Sequence, residues 1–501
     1  MLIEPEERLG PPAGSWYSRW LFERALALIY FTAFLVAVNQ FVPLLGEHGL
    51  LPVSEWVRQV PFRASPSLFY LFPTDTAFRT AAWLGVTLSA VAVTGVTSRA
   101  GSLVTAAVWT LLWLLYLSFV NVGQTFYGFG WETLLLETGF LAIFLGGRTT
   151  EPGVVITWLL RWLLFRLMFG AGLIKWRGDP CWLDLTCLDY YFETQPMPNP
   201  LTWYFHWLPA FVHRAGVVIN HIVEIGVPFL YFAPQPVAAA AGLATIAFQL
   251  ILIVSGNLSW LNWLTIVLAI ATIDDRWLAW IPVHRPPLRS PTAARQTALH
   301  VVAVVVGLLS VPPTLNILSP AQVMNTSFEP LHLVNTYGAF GSITRERLEI
   351  VIEGTEAREI TGATRWREYE FKGKPGDPSR MPLQFAPYHL RLDWLMWFAA
   401  MSQPTDYEWF VPFLLKLLQG DPGTLGLLRS NPFPDRPPHF IRAQHYRYRL
   451  TTPSERASSA RWWSRELIGP YYPAISLRPN SAAPRFRSGS PAWTSSPPET
   501  R

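Results

Sequence analysis

The sequence predicts a polytopic α-helical membrane bundle of about six to nine spans, followed by a compact, soluble, strand-rich α+β domain. Half of the 501 residues are hydrophobic and only 15% are charged, a balance typical of membrane proteins. The 24 tryptophans suit aromatic belts at membrane interfaces. In the second half, Leu348, Ile350 and Ile352 alternate with Glu349 and Glu353, the period of a strand with one covered face.

Composition divides the chain into four parts. Residues 1–18 form a short polar segment, and residues 19–311 form the transmembrane helical domain with an outer loop at 176–210. Residues 312–478 are expected to fold as an extramembrane α+β domain of a size that can hold its own core. Residues 479–501 are rich in Ser, Pro and Arg, which predicts a disordered tail.

Nine apolar segments are candidates for membrane spans. The first is longer than a signal-peptide core and no small-residue cleavage site follows it, so a retained helix is expected. Several others are shorter than the roughly 20 residues that cross a bilayer comfortably, and the eighth follows the seventh so closely that the two could form one re-entrant hairpin. The segments are 20–42, 78–96, 103–120, 131–145, 154–174, 211–232, 237–254, 258–273 and 297–311.

The distribution of arginine suggests an orientation. The loop at 274–295 carries four arginines, and the positive-inside tendency places it in the cytoplasm. Nine spans then place the domain after Pro312 outside. Cys181 and Cys187, which could form a disulfide in an oxidising compartment, and the glycosylation acceptor Asn325 would lie on that same side. Unpaired cysteines and an unused acceptor are equal alternatives.

Polar side chains inside the apolar half need partners, because ionisable groups are costly at membrane depth. Asn220, His221 and Glu224 are three and four residues apart, hence on one helix face. Charge balance suggests that the two glutamates of the fourth segment pair with the cations of the fifth. The predicted intramembrane polar cluster comprises Glu132, Glu137, Arg161, Arg166, Lys175, Asn220, His221 and Glu224.

Two interpretations of this cluster are open. In the first, its members are interhelical ion pairs and hydrogen bonds that fix the packing of the bundle. In the second, they line a polar cavity in which His221 or Lys175 transfers a proton and Glu224 or Glu137 orients it. Such a cavity would make the protein an integral-membrane enzyme that acts on a lipid-borne substrate.

Other sites are not indicated. The net charge of +5 comes from scattered arginines without the interleaved aromatics of a nucleic-acid surface, so no nucleic-acid partner is expected. Hydrolase, zinc-protease and P-loop motifs do not occur. The cysteines are six positions apart, unlike a C-x-x-C redox pair, and His206 and His213 have no further ligand pattern around them. We therefore predict no metal and no cofactor.

The outer loop contains three prolines between residues 196 and 200, which stiffen its backbone. Aromatic side chains, Tyr191 and Trp203 among them, flank this stretch on both sides. A rigid aromatic loop beside a bilayer can bind the exposed apolar surface of a partner or rest among lipid headgroups, and both interpretations are open.

Five long strings resemble the lipase maturation factor family, whose members are membrane proteins of the secretory pathway. They occur in the family's order, and the resemblance covers most of the chain from about Trp16 to Tyr472. The strings are YFETQPMPNPLTWYFHWLP (191–209), SGNLSWLNWLTIVLAI (255–270), NTYGAFGSITRERLEIVIEGT (335–355), WREYEFKGKPGDPSRMP (366–382) and APYHLRLDWLMWFAAM (386–401).

The resemblance implies a membrane-anchored, chaperone-like factor that helps secreted lipases reach their active, assembled form without performing covalent chemistry. The implied partners are a client lipase or another secreted hydrolase, and the bilayer. The implied location is the endoplasmic reticulum membrane in a eukaryote or the inner membrane in a bacterium, with the C-terminal domain on the lumenal or outer side. Position in the matched strings suggests as client-binding residues Tyr191, Trp203, Arg391, Asp393, Trp394 and Trp397.

A fainter resemblance keeps the enzymatic alternative open. Residues 126–147, FYGFGWETLLLETGFLAIFLGG, are similar to the membrane domain of vitamin K-dependent carboxylases. A transporter, the third possibility, would need polar groups along a path through the whole bundle, whereas the polar groups concentrate on one set of helices.

Overall fold

The computed structural model describes residues 14–477. Residues 1–13 of the predicted polar segment and the predicted disordered tail lie outside this range. Within residues 14–477, nine helices form the bundle. In chain order they are α1 (Trp16–Leu45), α2 (Asp75–Thr94), α3 (Ser102–Val122), α4 (Gly130–Ala142), α5 (Val154–Arg177), α6 (Ala210–Leu230), α7 (Val237–Ser255), α8 (Leu261–Thr272) and α9 (Ala293–Leu318).

Seven of these helices, all except α4 and α8, are long and apolar enough to cross a membrane. The chain is therefore an integral membrane protein, as its composition predicts. Helix α9 extends seven residues beyond the predicted end at Val311, because Pro312 and Pro313 occupy the first turn of its continuing segment. Proline is tolerated there, since the amide hydrogens of a first turn lack intrahelical acceptors.

The two short helices lie inside the bundle. Helix α4 has 13 residues, of which only Phe140 is not fully buried, and most of α8 is buried as well. Protein surrounds them in place of lipid, so they need neither the length nor the uniform apolarity of a lipid-facing span. All nine predicted segments are thus helical, and α7 and α8 run antiparallel through the bundle.

The bundle has two ends, which we call the domain end and the far end. Helix α1 begins at the far end, where the amide of Trp16 donates to Asp275 at 2.9 Å. It ends at the domain end, where the Gln40 amide donates to the His389 carbonyl at 2.6 Å. The loop after α8, which contains Asp275, therefore lies opposite the C-terminal domain.

The C-terminal domain is built on a four-stranded antiparallel sheet with the order β2-β1-β3-β4. Helix α10 packs on β1 and helix α11 packs on β3, which gives the predicted α+β architecture. The strands are β1 (Arg347–Thr355), β2 (Arg367–Glu368), β3 (Phe440–Leu450) and β4 (Trp463–Ile475), and the helices are α10 (Arg391–Ala400), α11 (Phe410–Gln419), α12 (Pro422–Leu427) and α13 (Pro453–Ser459).

In the sequence, apolar and charged residues alternate roughly from Trp366 to Lys372, which predicts a strand over this range, but β2 comprises only Arg367 and Glu368. The Tyr369 amide still donates to the Ile352 carbonyl of β1 at 2.9 Å, but Glu370 then forms an isolated bridge with Ser430. Tyr369 and Phe371 turn into the core of the domain. Burying these two rings in the core stabilises the fold more than two further residues of strand pairing would.

Shorter helices lie in the connections. Those at the domain end form part of the outer loop and of the segment between α1 and α2. The short helices are Val53–Gln59, Val96–Arg99, Cys187–Thr194, Thr202–His206 and Asp275–Leu278.

Candidate functional site

The predicted intramembrane cluster is not one site, because its members separate into distinct pairs. Lys175 on α5 meets Glu224 on α6, with Nζ 2.6 Å from Oε2. The amide of Asn220 donates to Glu224 at 3.0 Å, and its oxygen accepts from Lys175 at 3.3 Å. All three side chains are buried, and each finds hydrogen-bond partners in the other two.

His221 does not join this pair. Its Nε2 lies 3.0 Å from the Trp182 carbonyl of the outer loop, and its ring packs edge-on against Trp176 at 5.3 Å. A π-helical turn at Ile222–Gly226 interrupts α6 directly after it, which widens the helix locally. The prediction that His221 and Glu224 share one polar site is therefore wrong.

The second pair links Glu137 on α4 with Arg166 on α5. Glu137 Oε2 also accepts from the backbone amide of Asn335 at 3.1 Å and from the Tyr337 hydroxyl at 2.8 Å. Arg166 in turn donates to the Asn335 carbonyl at 2.7 Å. This predicted pairing is confirmed. Through its bonds to Asn335 and Tyr337 the pair also holds the segment that leads into the C-terminal domain.

Glu132 pairs with a residue of the C-terminal domain instead of a cation on α5. Arg391 Nη1 lies 2.8 Å from its Oε1 and 2.6 Å from the Phe126 carbonyl, while the Tyr116 hydroxyl donates to the other carboxylate oxygen. Both ionised side chains are fully buried. Burial alone would lower the pKa of Arg391, but Glu132 together with the Tyr127 and Tyr116 side chains more than offsets it and raises the pKa above its ordinary value.

Arg161, the remaining cation of the cluster, lies toward the far end. It donates to the backbone carbonyls of Ala271 at 3.0 Å and Tyr231 at 3.1 Å. These carbonyls end α8 and α6, where helices leave acceptors unsatisfied. Arg161 therefore caps the ends of two helices. Charge balance predicted a glutamate of the fourth segment as its partner, and that prediction is wrong.

We call the contact of Arg391 and Asn335 with the bundle glutamates, chiefly Glu132, the junction. Aromatic rings surround Arg391 there. The imidazole of His389 lies within 5.1 Å of the Trp131 ring and 5.6 Å of the Trp394 ring, measured between centroids. Its Nε2 has no hydrogen-bond partner within residues 14–477. Burial lowers the pKa of His389 well below its usual value, so the ring is neutral and does not compete with Arg391 for Glu132.

Most of the suggested client-binding residues are buried at contacts between the domain, the bundle and the outer loop. Tyr191, Arg391, Asp393 and Trp394 are each less than 9% exposed. Asp393 accepts from two backbone amides of the domain, those of Gly373 and Lys374. Buried side chains offer no surface to a client, so the structure gives these four residues a structural role in place of the suggested contact.

The other two suggested residues attach the outer loop to the C-terminal domain. Trp397 donates its indole N–H to the Thr194 carbonyl at 3.0 Å, and Trp203 donates to the Thr451 carbonyl at 2.7 Å. Both are partly exposed. Trp203 also lies against the guanidinium of Arg456, 4.5 Å from its ring centroid.

An exposed apolar surface lies beside Trp203, on the outer loop and the first turn of α6, and we call it the outer-loop patch. Each of its side chains is at least 38% exposed, which is unusual for so many large apolar residues in one short stretch. The outer-loop patch consists of Leu201, Tyr204, Trp207, Leu208 and Phe211.

The start of the outer loop carries a disulfide between Cys181 and Cys187. Asp179 accepts from the Cys181 amide at 3.0 Å and pairs with Arg345 of the domain at 2.7 Å. Asn325 is exposed at the same end of the bundle, and its side-chain oxygen accepts from the Gly338 amide at 3.3 Å.

Two family models match this chain in sequence. The lipase maturation factor transmembrane domain matches residues 17–280, and the lipase maturation factor C-terminal domain matches residues 333–473. The chain belongs to the lipase maturation factor family. The junction formed by Arg391, Glu132 and Asn335 lies between these two matched regions of the fold.

Relatives within the lipase maturation factor family align over nearly the whole chain. Lipase maturation factor 1 of Mus musculus is 44% identical, over 92% of this chain and 88% of its own length. Its Homo sapiens counterpart is 43% identical, over 97% and 94%. Lipase maturation factor 2 of Rattus norvegicus is 30% identical, over 91% and 83%. No solved structure matches the chain.

Sequence reasoning missed two residues that hold this lipase maturation factor family member together. Asn257, in the turn between α7 and α8, donates to the Leu383 carbonyl and accepts from the amides of Phe385 and Ala386. Arg347 on β1 donates to the Gln195 carbonyl of the outer loop at 2.6 Å and pairs with Glu349 at 2.7 Å. The alternation in the sequence places Arg347 and Glu349 on the uncovered face of the strand, but β1 is buried on both faces, so no sequence signal marked Arg347.

Proposed function

We propose that this chain is a membrane-anchored maturation factor that helps secreted lipases, or another secreted hydrolase, reach their active form without covalent chemistry. Family membership and the names of the relatives support this function. The observation that carries its non-catalytic character is the engagement of Glu132, Glu137, Arg166, Lys175 and Glu224 in buried pairs that hold helices and domain together.

For the location, we propose the endoplasmic reticulum membrane in a eukaryote and the inner membrane in a bacterium. The C-terminal domain would face the lumen or the outer side. Support comes from the arginines of the loop at 274–292, which lies at the far end, since cytoplasmic loops carry an excess of such residues. The disulfide lies at the domain end, which suits an oxidising compartment there.

We propose the outer-loop patch as the surface that meets the client. A maturation factor must recognise apolar surface that is exposed only while the client is incompletely folded. The outer loop is held by Arg347 and Trp397, so it presents the patch without losing further conformational entropy on binding. Burial of the patch among lipid headgroups is the alternative.

The double substitution Leu201→Ser/Tyr204→Ser tests this surface. Both side chains are about half exposed, at 44% and 52%, and neither anchors the loop through a hydrogen bond among the described residues. Removing two apolar contacts of about 1 kcal/mol each should weaken client binding by at least about tenfold. The measurement is the specific activity, per unit of antigen, of a dimeric secreted lipase made in cells that lack other maturation factors.

Trp280→Ser is the matched control, because Trp280 is 78% exposed in the loop at the far end. It should leave lipase specific activity unchanged. Equal activity for the double variant and the wild type, at equal protein levels in the membrane, would remove the outer-loop patch as the client surface.

The enzymatic alternative has its own test at Lys175 and Glu224. Replacing a buried ion pair with apolar residues of similar volume is often neutral for stability, whereas removing one partner costs about 3–5 kcal/mol. We therefore expect Lys175→Met/Glu224→Leu to retain full lipase maturation, and Lys175→Met alone to lower the amount of folded protein. A double variant that folds normally but no longer matures lipase would favour proton-transfer chemistry at this pair.

A further inference from the structure

A polar groove lies in the C-terminal domain, apart from the junction and from the outer-loop patch. It has a volume of about 560 Å³ and is open to solvent, within the size range of small-ligand sites. One wall is the turn that contains Asp377 and Ser379, and the other walls are α13 and the start of β4. Trp463, 1% exposed, lies at its base.

The groove offers unused hydrogen-bonding groups of both kinds. The guanidinium of Arg461 and the hydroxyl of Ser464 make no side-chain hydrogen bond or ion pair within residues 14–477. Ser458 and Ser459 donate to the Glu455 carbonyl. The Ser459 hydroxyl also accepts from the Arg461 amide at 3.3 Å, whereas the Ser458 hydroxyl keeps its lone pairs free to accept. Asp377 uses one carboxylate oxygen to bind Ser379 and leaves the other available.

The charges along the groove are balanced. Two carboxylates, Asp377 and Glu455, and two guanidinium groups, Arg461 and Arg465, line it. Arg465 is already held by Glu368 at 2.6 Å, and Glu455 is held by Arg449. An anion would meet the two carboxylates and a cation would meet the guanidinium groups, so the groove favours neither.

Neutral ligands with many hydroxyl groups fit this combination. Each hydroxyl both donates and accepts, which matches alternating serine, carboxylate and guanidinium partners. The ring of Trp463 is buried beneath the groove, so such a ligand would be held by hydrogen bonds to its hydroxyl groups. We propose that this groove binds a neutral saccharide, carried by a glycoprotein or by a glycolipid headgroup. The proposal does not depend on the lipase function.

The test uses the full chain in phosphatidylcholine nanodiscs, because glucoside and maltoside detergents would themselves occupy a sugar site. Mannotriose, maltotriose and chitotriose are titrated to about 10 mM, which detects dissociation constants near 1 mM, and binding is followed by calorimetry and saturation-transfer NMR. We expect at least one trisaccharide to bind. Arg461→Ala should then raise its dissociation constant at least about tenfold, as expected when a charged hydrogen-bond donor is removed.

Arg436→Ala is the matched control, since Arg436 is an exposed arginine that lies outside the groove. It should leave the dissociation constant unchanged. Absence of binding by all three trisaccharides would overturn the proposal, as would equal binding by the Arg461→Ala variant. Displacement of the trisaccharide by sodium sulfate, but not by sodium chloride of equal ionic strength, would show an anion site and would also overturn it.

Once binding is measured, the two sources can be separated. A soluble glycopeptide that carries the same sugar should compete if the natural ligand is protein-linked. A glycolipid with the same headgroup, placed in the nanodisc, should compete if the ligand is membrane-linked. Lipase specific activity measured with Arg461→Ala then shows independently whether the groove contributes to maturation.

Discussion

Arg391→Ala is expected to destabilise the folded protein by about 3–5 kcal/mol, the cost of leaving one member of a buried ion pair unpartnered. The Glu132 carboxylate would remain fully buried and would keep its bond from the Tyr116 hydroxyl, but it would lose the cation that faces it. The cation over the Tyr127 ring, 3.4 Å from its centroid, would also be lost. The measurement is denaturant-induced or thermal unfolding in nanodiscs, followed by tryptophan fluorescence.

Two further variants define the source of this effect. Glu132→Gln/Arg391→Met removes both charges at similar volume and should recover most of the lost stability. Arg447→Ala is the matched control on the surface: its pair with Glu466 is 45% and 73% exposed, and its loss should change stability by less than about 1 kcal/mol. If Arg391→Ala were no more destabilising than Arg447→Ala, the junction would not depend on the ion pair.

Asn257→Ala is expected to destabilise the protein by about 3 kcal/mol or more, because it leaves several buried backbone groups without partners. The side chain of Asn257 is fully buried and contacts two separate segments: the outer loop at the Pro198 carbonyl, and residues 383–386 at the Leu383 carbonyl and the amides of Phe385 and Ala386. The same unfolding measurement applies, together with protease protection of the outer loop.

Asn39→Ala provides the comparison for this variant. Asn39 is exposed on α1, and among the residues that the structure describes its side chain donates only to the Tyr388 hydroxyl, at 3.2 Å. Its loss should cost less than about 1 kcal/mol, since water replaces an exposed partner. Similar stability changes for the two variants would mean that the hydrogen bonds of Asn257 do not hold the turn between α7 and α8 to the domain.

The sequence predicted the bundle because apolar length is a local property. All nine segments were visible, including α4 and α8, whose short length left their status open until their burial was known. The pairing of charges was not local. Glu132 and Arg391 are 259 positions apart, and nothing in the sequence distinguishes Arg391 from Arg166 as the partner of a given glutamate. Charge balance therefore predicted correctly that these glutamates form ion pairs, but it predicted the wrong cation for Glu132.

The sheet shows a second limit. Strand β1 alternates cleanly and was predicted, but β3 and β4 are the longest strands and were not. Strand β4 contains Pro470 and Pro473, which interrupt a strand pattern in the sequence, and its pairing with β3 has register shifts. Proline is acceptable because β4 is an edge strand with an unpaired side. Whether a strand lies at the edge is known only once the sheet is assembled.

The contacts of Asn335 and Arg391 with the bundle also set an order for biosynthesis. A ribosome delivers α4, with Glu132 and Glu137, some two hundred residues or more before Asn335 and Arg391, which complete the hydrogen bonds of these carboxylates. During that interval the membrane part holds buried acids without their final partners. The last-made third of the chain therefore completes the first-made third, and a chain terminated before Asn335 would leave an unfinished bundle for cellular quality control to detect.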